Sequence, residues 1–227
     1  MSKLRGYFTL LQMIISVSIV IILMFLFKKH NHTIRKKWAQ IQMNLLGVKI
    51  KLTGTIDPEA RMVVMNHQSI LDIVVIEYLH SKNLAWVAKK EISNIPWFGK
   101  IVSLPDMISI ERESKSSLIK LLKDSKDRLS HNRPIAIFPE GTRTDGKSMR
   151  KFKSGPKIIA EKFKLKVQPV VIYNTIEILD SKNLTQKSGI VQIDFLSSIQ
   201  AEATTNWYEE VEKNMNEVFN SRLQNDN

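Results

Sequence analysis

Two side chains suited to moving a proton lie five positions apart in the stretch 61–72, which reads RMVVMNHQSILD. The run Met62-Val63-Val64-Met65 has the composition of a short buried strand, Asn66-His67-Gln68-Ser69 is turn-like, and an apolar-periodic segment follows. Ser69 is a good helix N-cap and Asp72 supplies the acidic half of a capping box, so the helix is expected to begin at Ile70. On one regular helix, residues five apart point about 140° away from each other. His67 and Asp72 therefore meet only if His67 sits in the turn and its ring folds back towards the carboxylate. A carboxylate beside an imidazole fixes its tautomer and stabilises the imidazolium, which lets the other ring nitrogen activate a hydroxyl. The plainer alternative is a capping carboxylate beside a polar turn residue.

A second polar set follows a strand expected over residues 134–138. Pro139-Glu140-Gly141-Thr142-Arg143-Thr144 combines a carboxylate, a turn glycine, a hydroxyl and a guanidinium able to grip a phosphate with two hydrogen bonds. The same loop carries a decoy. GTRTDGKS at 141–148 satisfies the nucleotide-binding pattern GxxxxGK[ST], but that motif needs a helix starting at its Lys-Ser. Residues 149–153 lack a helical start, and Glu140 and Asp145 would repel a triphosphate. A nucleotide-binding protein is accordingly the remote alternative.

The elements that must position these groups begin with a long apolar segment. Residues 8–27, FTLLQMIISVSIVIILMFLF, carry no charge, and as a helix they would be about 30 Å long, the thickness of a hydrocarbon core. A cleaved signal has a shorter apolar region ending in small residues, so an uncleaved anchor is expected. Lys28, Lys29, Arg35, Lys36 and Lys37 follow it against Lys3 and Arg5 before it, which places the main domain on the cytoplasmic side. Residues 32–46 mix Trp38, Ile41, Met43, Leu45 and Leu46 with Arg35, Lys36 and Lys37, the pattern of an interfacial helix on anionic lipid. The first helix either spans the bilayer or pairs with the second inside one leaflet.

The net charge of +12 asks for an acidic partner, and with this segment present an anionic lipid surface accounts for it better than nucleic acid. The absence of cysteine removes disulfides, thiolate nucleophiles and zinc-thiolate centres, and suits a reducing compartment. Residues 48–227 then alternate: strands are expected at 48–52, 62–65, 84–87, 107–110, 134–138, 167–173 and 190–195. Helices are expected at 70–79, 116–129 and 156–163, with a closing helix marked by Trp207, Val211, Met215 and Val218. This rhythm predicts an α/β fold, a mixed and largely parallel sheet flanked by helices, behind an N-terminal membrane-associated segment at 1–47.

The motifs together resemble a known family. Asn66-His67-Gln68-Ser69-Ile70-Leu71-Asp72 is similar to the NHxxxxD motif of the glycerolipid acyltransferases, and Phe138-Pro139-Glu140-Gly141-Thr142-Arg143 to their FPEGTR motif. Lys89-Lys90-Glu91, Ile95-Pro96-Trp97-Phe98-Gly99 and Phe152-Lys153-Ser154-Gly155 resemble further stretches of the 1-acylglycerol-3-phosphate acyltransferases, as does Val167-Gln168-Pro169-Val170-Val171. One block departs. Where the family has a sequence close to GxxFIxR, this chain has Asp106-Met107-Ile108-Ser109-Ile110-Glu111-Arg112, so glycine has become Asp106 and phenylalanine Ser109.

The resemblance implies acyl transfer from a thioester of coenzyme A or acyl carrier protein to lysophosphatidate, without a metal or resident cofactor. It implies His67 as general base, Asp72 as its orienting acid, and Arg112, Arg143 and Lys89 as holders of the acceptor phosphate. Gly141 and Thr142 belong to the substrate loop, and Glu140 either bonds the glycerol or braces that loop. Backbone amides near His67 or Gly141 are the candidate oxyanion donors. The altered block opens the alternatives of glycerol 3-phosphate, another lysophospholipid or an aminolipid as acceptor.

Overall fold

The computed structural model describes residues 2–111 and 115–225. The chain begins with two helices, α1 (Ser2–Leu26) and α2 (Asn31–Leu45), joined by a 3-10 turn. It continues β1 (Val48–Thr53), β2 (Met62–Met65), α3 (Leu71–Leu79), β3 (Ala85–Lys89), α4 (Lys90–Ser93), α5 (Lys100–Ser103) and β4 (Ile108–Ile110). Then come α6 (Lys115–Ser130), β5 (Ile135–Ile137), α7 (Ser154–Lys162), β6 (Lys166–Tyr173) and α8 (Thr175–Ile178). The last elements are β7 (Leu179–Asp180), β8 (Thr185–Gln186), β9 (Gly189–Phe195), β10 (Ile199–Gln200) and α9 (Trp207–Asn225).

Among the described residues the main sheet is eight-stranded, in the order β1-β9-β6-β2-β5-β3-β4, with β10 paired to β6. Every pairing is parallel except β6 with β9 and β10 with β6, which makes the sheet mixed and largely parallel as expected. Its central strands are covered on both faces, which is why they read as unbroken apolar runs. Strand alternation sends Met62 and Val64 to one face, with Ile159, Trp207, Met215 and Phe219. Val63 and Met65 face the other, with Met43, Leu71, Val75 and Ile178.

The anchor region is less detached than its sequence suggests. The periodic cations of α2 predict a helix resting on lipid headgroups, yet Arg35 is buried and pairs with Glu77 of α3 at 2.6 Å. Ala39, Met43 and Leu46 join the core beneath the sheet. The reason is a complementary carboxylate that the sequence places far away, at Glu77, and α2 turns inward to meet it. Ser16 and Ser18, which read as isolated polar residues in the apolar run, are docking points. Ser16 Oγ accepts from the Trp38 and Gln42 side chains at 3.1 and 3.2 Å, and Ser18 Oγ from Trp97 at 3.1 Å. Gly6 lets α1 cross the β7–β8 turn closely, since a Cβ there would fall 1.8 Å from the Leu184 carbonyl oxygen.

One side of α1 is thus packed while Phe8, Leu11, Ile15, Ile19, Ile22 and Phe25 remain exposed. A contiguous apolar face of this size, on a helix of membrane-spanning length and composition, marks association with a bilayer.

Asp106 adopts a positive φ of 51°, a conformation that favours glycine and that aspartate tolerates. The departure from the family glycine at this position is therefore met by the backbone. Ser109, in place of phenylalanine, shares a 2.8 Å hydrogen bond with Ser93 and ties β4 to α4. Arg112 lies outside the described residues.

Candidate active site

The site forms where neighbouring parallel strands end together. Strands β6, β2, β5 and β3 are adjacent in that order, so the segments leaving their C-terminal ends converge on one edge of the sheet. The turn after β2 carries His67, the loop after β5 carries Glu140 to Arg143, α8 after β6 carries Thr175, and β3 ends at Lys89.

His67 and Asp72 meet. His67 Nδ1 lies 2.8 Å from Asp72 Oδ2, with His67 before the helix and Asp72 in its first turn. Asp72 is fully buried, and its carboxylate is saturated. Oδ2 also accepts the amides of Gln68 and Ser69 at 2.7 and 2.9 Å, while Oδ1 accepts the Thr175 hydroxyl. Asp72 thus caps the turn and, with the same oxygen, bonds the imidazole. The regular helix begins at Leu71, one residue later than expected, because Ser69 Oγ takes the Leu71 amide at 3.2 Å while the first turn is drawn tight.

The backbone of His67 is clamped from the neighbouring strand's loop. Its N–H donates to Glu140 Oε1 at 2.7 Å, and its carbonyl accepts the Thr144 amide at 2.8 Å. Glu140 Oε2 takes the Arg150 amide at 2.6 Å. With both oxygens spent on main-chain donors and the side chain buried, Glu140 braces the loop; it is not directed at a glycerol. Burial pushes its carboxyl up to about 7, aided by the nearby Asp72 charge and opposed by the two amides.

An unfolded glutamate ionises near pH 4.5, so the folded chain holds a proton the unfolded chain has released between about pH 4.5 and 7. This contribution is fully present below that window and is lost as pH rises through it, by about 3 kcal/mol in all. Urea unfolding at pH 5 and pH 7.5 is expected to show this slope in the wild type and a flatter response in Glu140→Gln. Glu140→Ala takes the acceptor from the partly buried amides of His67 and Arg150 and is expected to cost about 1–3 kcal/mol.

His67, Lys89, Gly141, Thr142 and Arg143 all line one cleft of about 900 Å³. Its walls are chiefly apolar, including Ile70, Ile73, Val87, Ile110 and Leu121. The His67 ring lies flat against Phe138, with centroids 3.8 Å apart and planes 10° from parallel. Since Nδ1 is committed to Asp72, Nε2 is the ring nitrogen left to act on a substrate. Arg143 is exposed at the rim and donates to Ser181 Oγ at 2.7 Å.

Four of the amides near His67 and Gly141 are already engaged within the protein. Those of His67, Gln68 and Ser69 serve carboxylates, and that of Gly141 donates to the Phe138 carbonyl at 3.1 Å. The nucleotide-binding alternative fails as well, because residues 147–153 are irregular and the next helix starts at Ser154. Gly146 serves a turn at φ 79°, where a Cβ would meet Ile176.

Sequence reasoning missed Thr175 as a site residue and gave no role of their own to Phe138 and Asn66, which it quoted only within the two motifs. Asn66 pairs like a backbone unit with Ile172, at 2.7 and 2.8 Å, and locks the end of β2 to β6. Each stands at the end of a central strand, and that position is the signal by which they are found.

Comparison with known proteins now decides the kinship. The family model described as Acyltransferase matches residues 47–173. A 1-acyl-sn-glycerol-3-phosphate acyltransferase of Helicobacter pylori is 38% identical over 221 residues, covering 96% of this chain and 93% of that protein. The chain belongs to the acyltransferase family. A coconut (Cocos nucifera) protein of the same name is 31% identical over 76% of this acyltransferase and 56% of its own length. The crystal structure of the 1-acyl-sn-glycerophosphate acyltransferase PlsC from Thermotoga maritima matches with a TM-score of 0.74 over 97% of each chain. At 19% identity that likeness speaks to the fold, and it covers the N-terminal helices of the acyltransferase as well as its sheet.

Proposed function

We propose that this acyltransferase moves a fatty acyl group from a thioester to the sn-2 hydroxyl of 1-acylglycerol 3-phosphate, giving phosphatidate. The observation that carries the reading is an imidazole backed by a buried carboxylate and opening into an apolar cleft with Lys89 and Arg143 among its lining residues. Apolar walls suit acyl chains, and the cations suit a phosphate. His67 Nε2 takes the proton of the lipid hydroxyl as its oxygen attacks the thioester carbonyl. The tetrahedral intermediate then expels the thiolate, which recovers that proton from the imidazolium. Asp72 holds the tautomer and stabilises the transient cation. Lys89, Arg143 and Arg112 hold the phosphate, and donors for the oxyanion come from the loop after Gly141, where Thr142 and Arg143 border the cleft. The exposed Lys28, Lys29 and Lys37 beside α1 support a catalytic face on the cytoplasmic side of an anionic membrane.

The test compares acceptors in vesicles: lysophosphatidate, glycerol 3-phosphate and a lyso-aminolipid, each with acyl-coenzyme A and with acyl carrier protein. Lysophosphatidate is expected to give the highest kcat/KM. A lyso-aminolipid turned over faster would overturn the acceptor, since a zwitterionic headgroup gains little from these cations. Arg143→Ala is expected to raise the KM for lysophosphatidate about tenfold, the loss of roughly one charge-assisted hydrogen bond of 1.4 kcal/mol, with less effect on an acceptor lacking phosphate.

A further inference from the structure

The hydrogen bond from His67 Nδ1 to Asp72 holds the imidazole at its edge and does not by itself set the plane of the ring. The plane of the ring is set by Phe138, stacked on it at 3.8 Å and 10°. Phe138 in turn rests against Trp86 of β3, with centroids 5.6 Å apart and planes 28° from parallel. The Trp86 indole N–H donates to Glu77 Oε2 at 2.8 Å, and Glu77 Oε1 accepts from Arg35 of α2 at 2.6 Å. Arg35 spends its other terminal nitrogen on Asn83 Oδ1 at 2.5 Å. Arg35, Glu77 and Trp86 are all buried.

We infer that Glu77 and Trp86 are positioning residues, which hold the His67 ring in its reactive plane through Phe138, and that Arg35 ties this support to the anchor helix α2. The inference rests on the reading of His67 as the base. Asp72 and Glu77 both belong to α3, so one helix fixes the imidazole at its edge and, through two aromatic rings, at its face. Their five-residue spacing turns them about 140° apart, one towards the turn and the other towards β3. Glu77 makes no contact with the cleft itself. A buried ion pair of this kind is seldom needed for stability alone, because apolar groups of similar volume replace such pairs with little loss. What an apolar replacement cannot do is accept the Trp86 N–H.

The test uses the full-length protein in vesicles with lysophosphatidate and whichever thioester the wild type turns over faster. The double variants Arg35→Met/Glu77→Met and Arg35→Met/Glu77→Gln both remove the ion pair, but only the glutamine retains an acceptor for Trp86, with the freed Asn83 oxygen available to its amide. The methionine pair is expected to lose about tenfold or more in kcat, as misplaced reacting groups do, with the acceptor KM within about twofold. The glutamine variant is expected to restore kcat to within about threefold of wild type at a similar unfolding midpoint. Trp86→Phe keeps an aromatic ring on β3 but removes the N–H together with part of the indole that borders the cleft, and it is expected to match the methionine pair in kcat; wild-type kcat in it overturns the inference even if that pair fails to fold. Equal kcat in the two double variants, or wild-type kcat in Trp86→Phe, would overturn the inference. His67→Ala is run in parallel: if it retains activity, the assignment of the base falls, and if it is inactive while the double variants agree, only the positioning role does.

Discussion

Asp72→Asn is expected to lower kcat by about 10²- to 10⁴-fold while leaving the fold nearly intact. An asparagine is isosteric with aspartate. Its carbonyl oxygen can occupy the place of Oδ2 and still accept the Gln68 and Ser69 amides, and its NH₂ can donate to Thr175, whose hydroxyl reorients to accept. What disappears is the negative charge that stabilises the imidazolium formed at His67. Asp72→Ala would instead strip the turn of every one of these contacts and lose stability as well. Measuring kcat beside the urea midpoint for both variants separates the roles: asparagine should lose activity with little change in midpoint, and alanine should lose both. An asparagine variant with near wild-type turnover would reduce Asp72 to a capping residue.

The main outline of the fold is legible in the sequence because its core strands are short, apolar and separated by helical patterns. The run MVVM at 62–65 reads as a buried strand, and it is one, covered on both faces. The meeting of His67 and Asp72 is legible too, since helix geometry leaves only one local arrangement that brings residues five apart together. Elsewhere the sequence misleads where a partner lies far along the chain. Arg35 looks like one cation among several on a lipid-facing helix, and nothing local reveals that Glu77 draws it into the interior. Glu140 looks as well suited to a substrate as to the protein. Its role depends on two amides, one of which lies 73 residues away in the His67 turn. Thr175 is hidden for the same reason, because only the sheet order places the end of β6 beside the end of β2. The serines of α1 show the converse. In an apolar run they read as noise, whereas Ser16 and Ser18 gather donors from α2 and from the segment before α5.

These contacts also make the decisive variant a clean one. The main chain of His67 is held by Glu140 and Thr144 through its own N–H and carbonyl, so removing the imidazole leaves the turn in place. The measurement is the rate of labelled acyl transfer from thioester to lysophosphatidate by His67→Ala, in vesicles, against the wild type at equal folded concentration. Loss of a positioned general base predicts a kcat lower by at least about 10²-fold with little change in the unfolding midpoint. A His67→Ala protein that forms phosphatidate within about twofold of the wild-type rate would contradict the account.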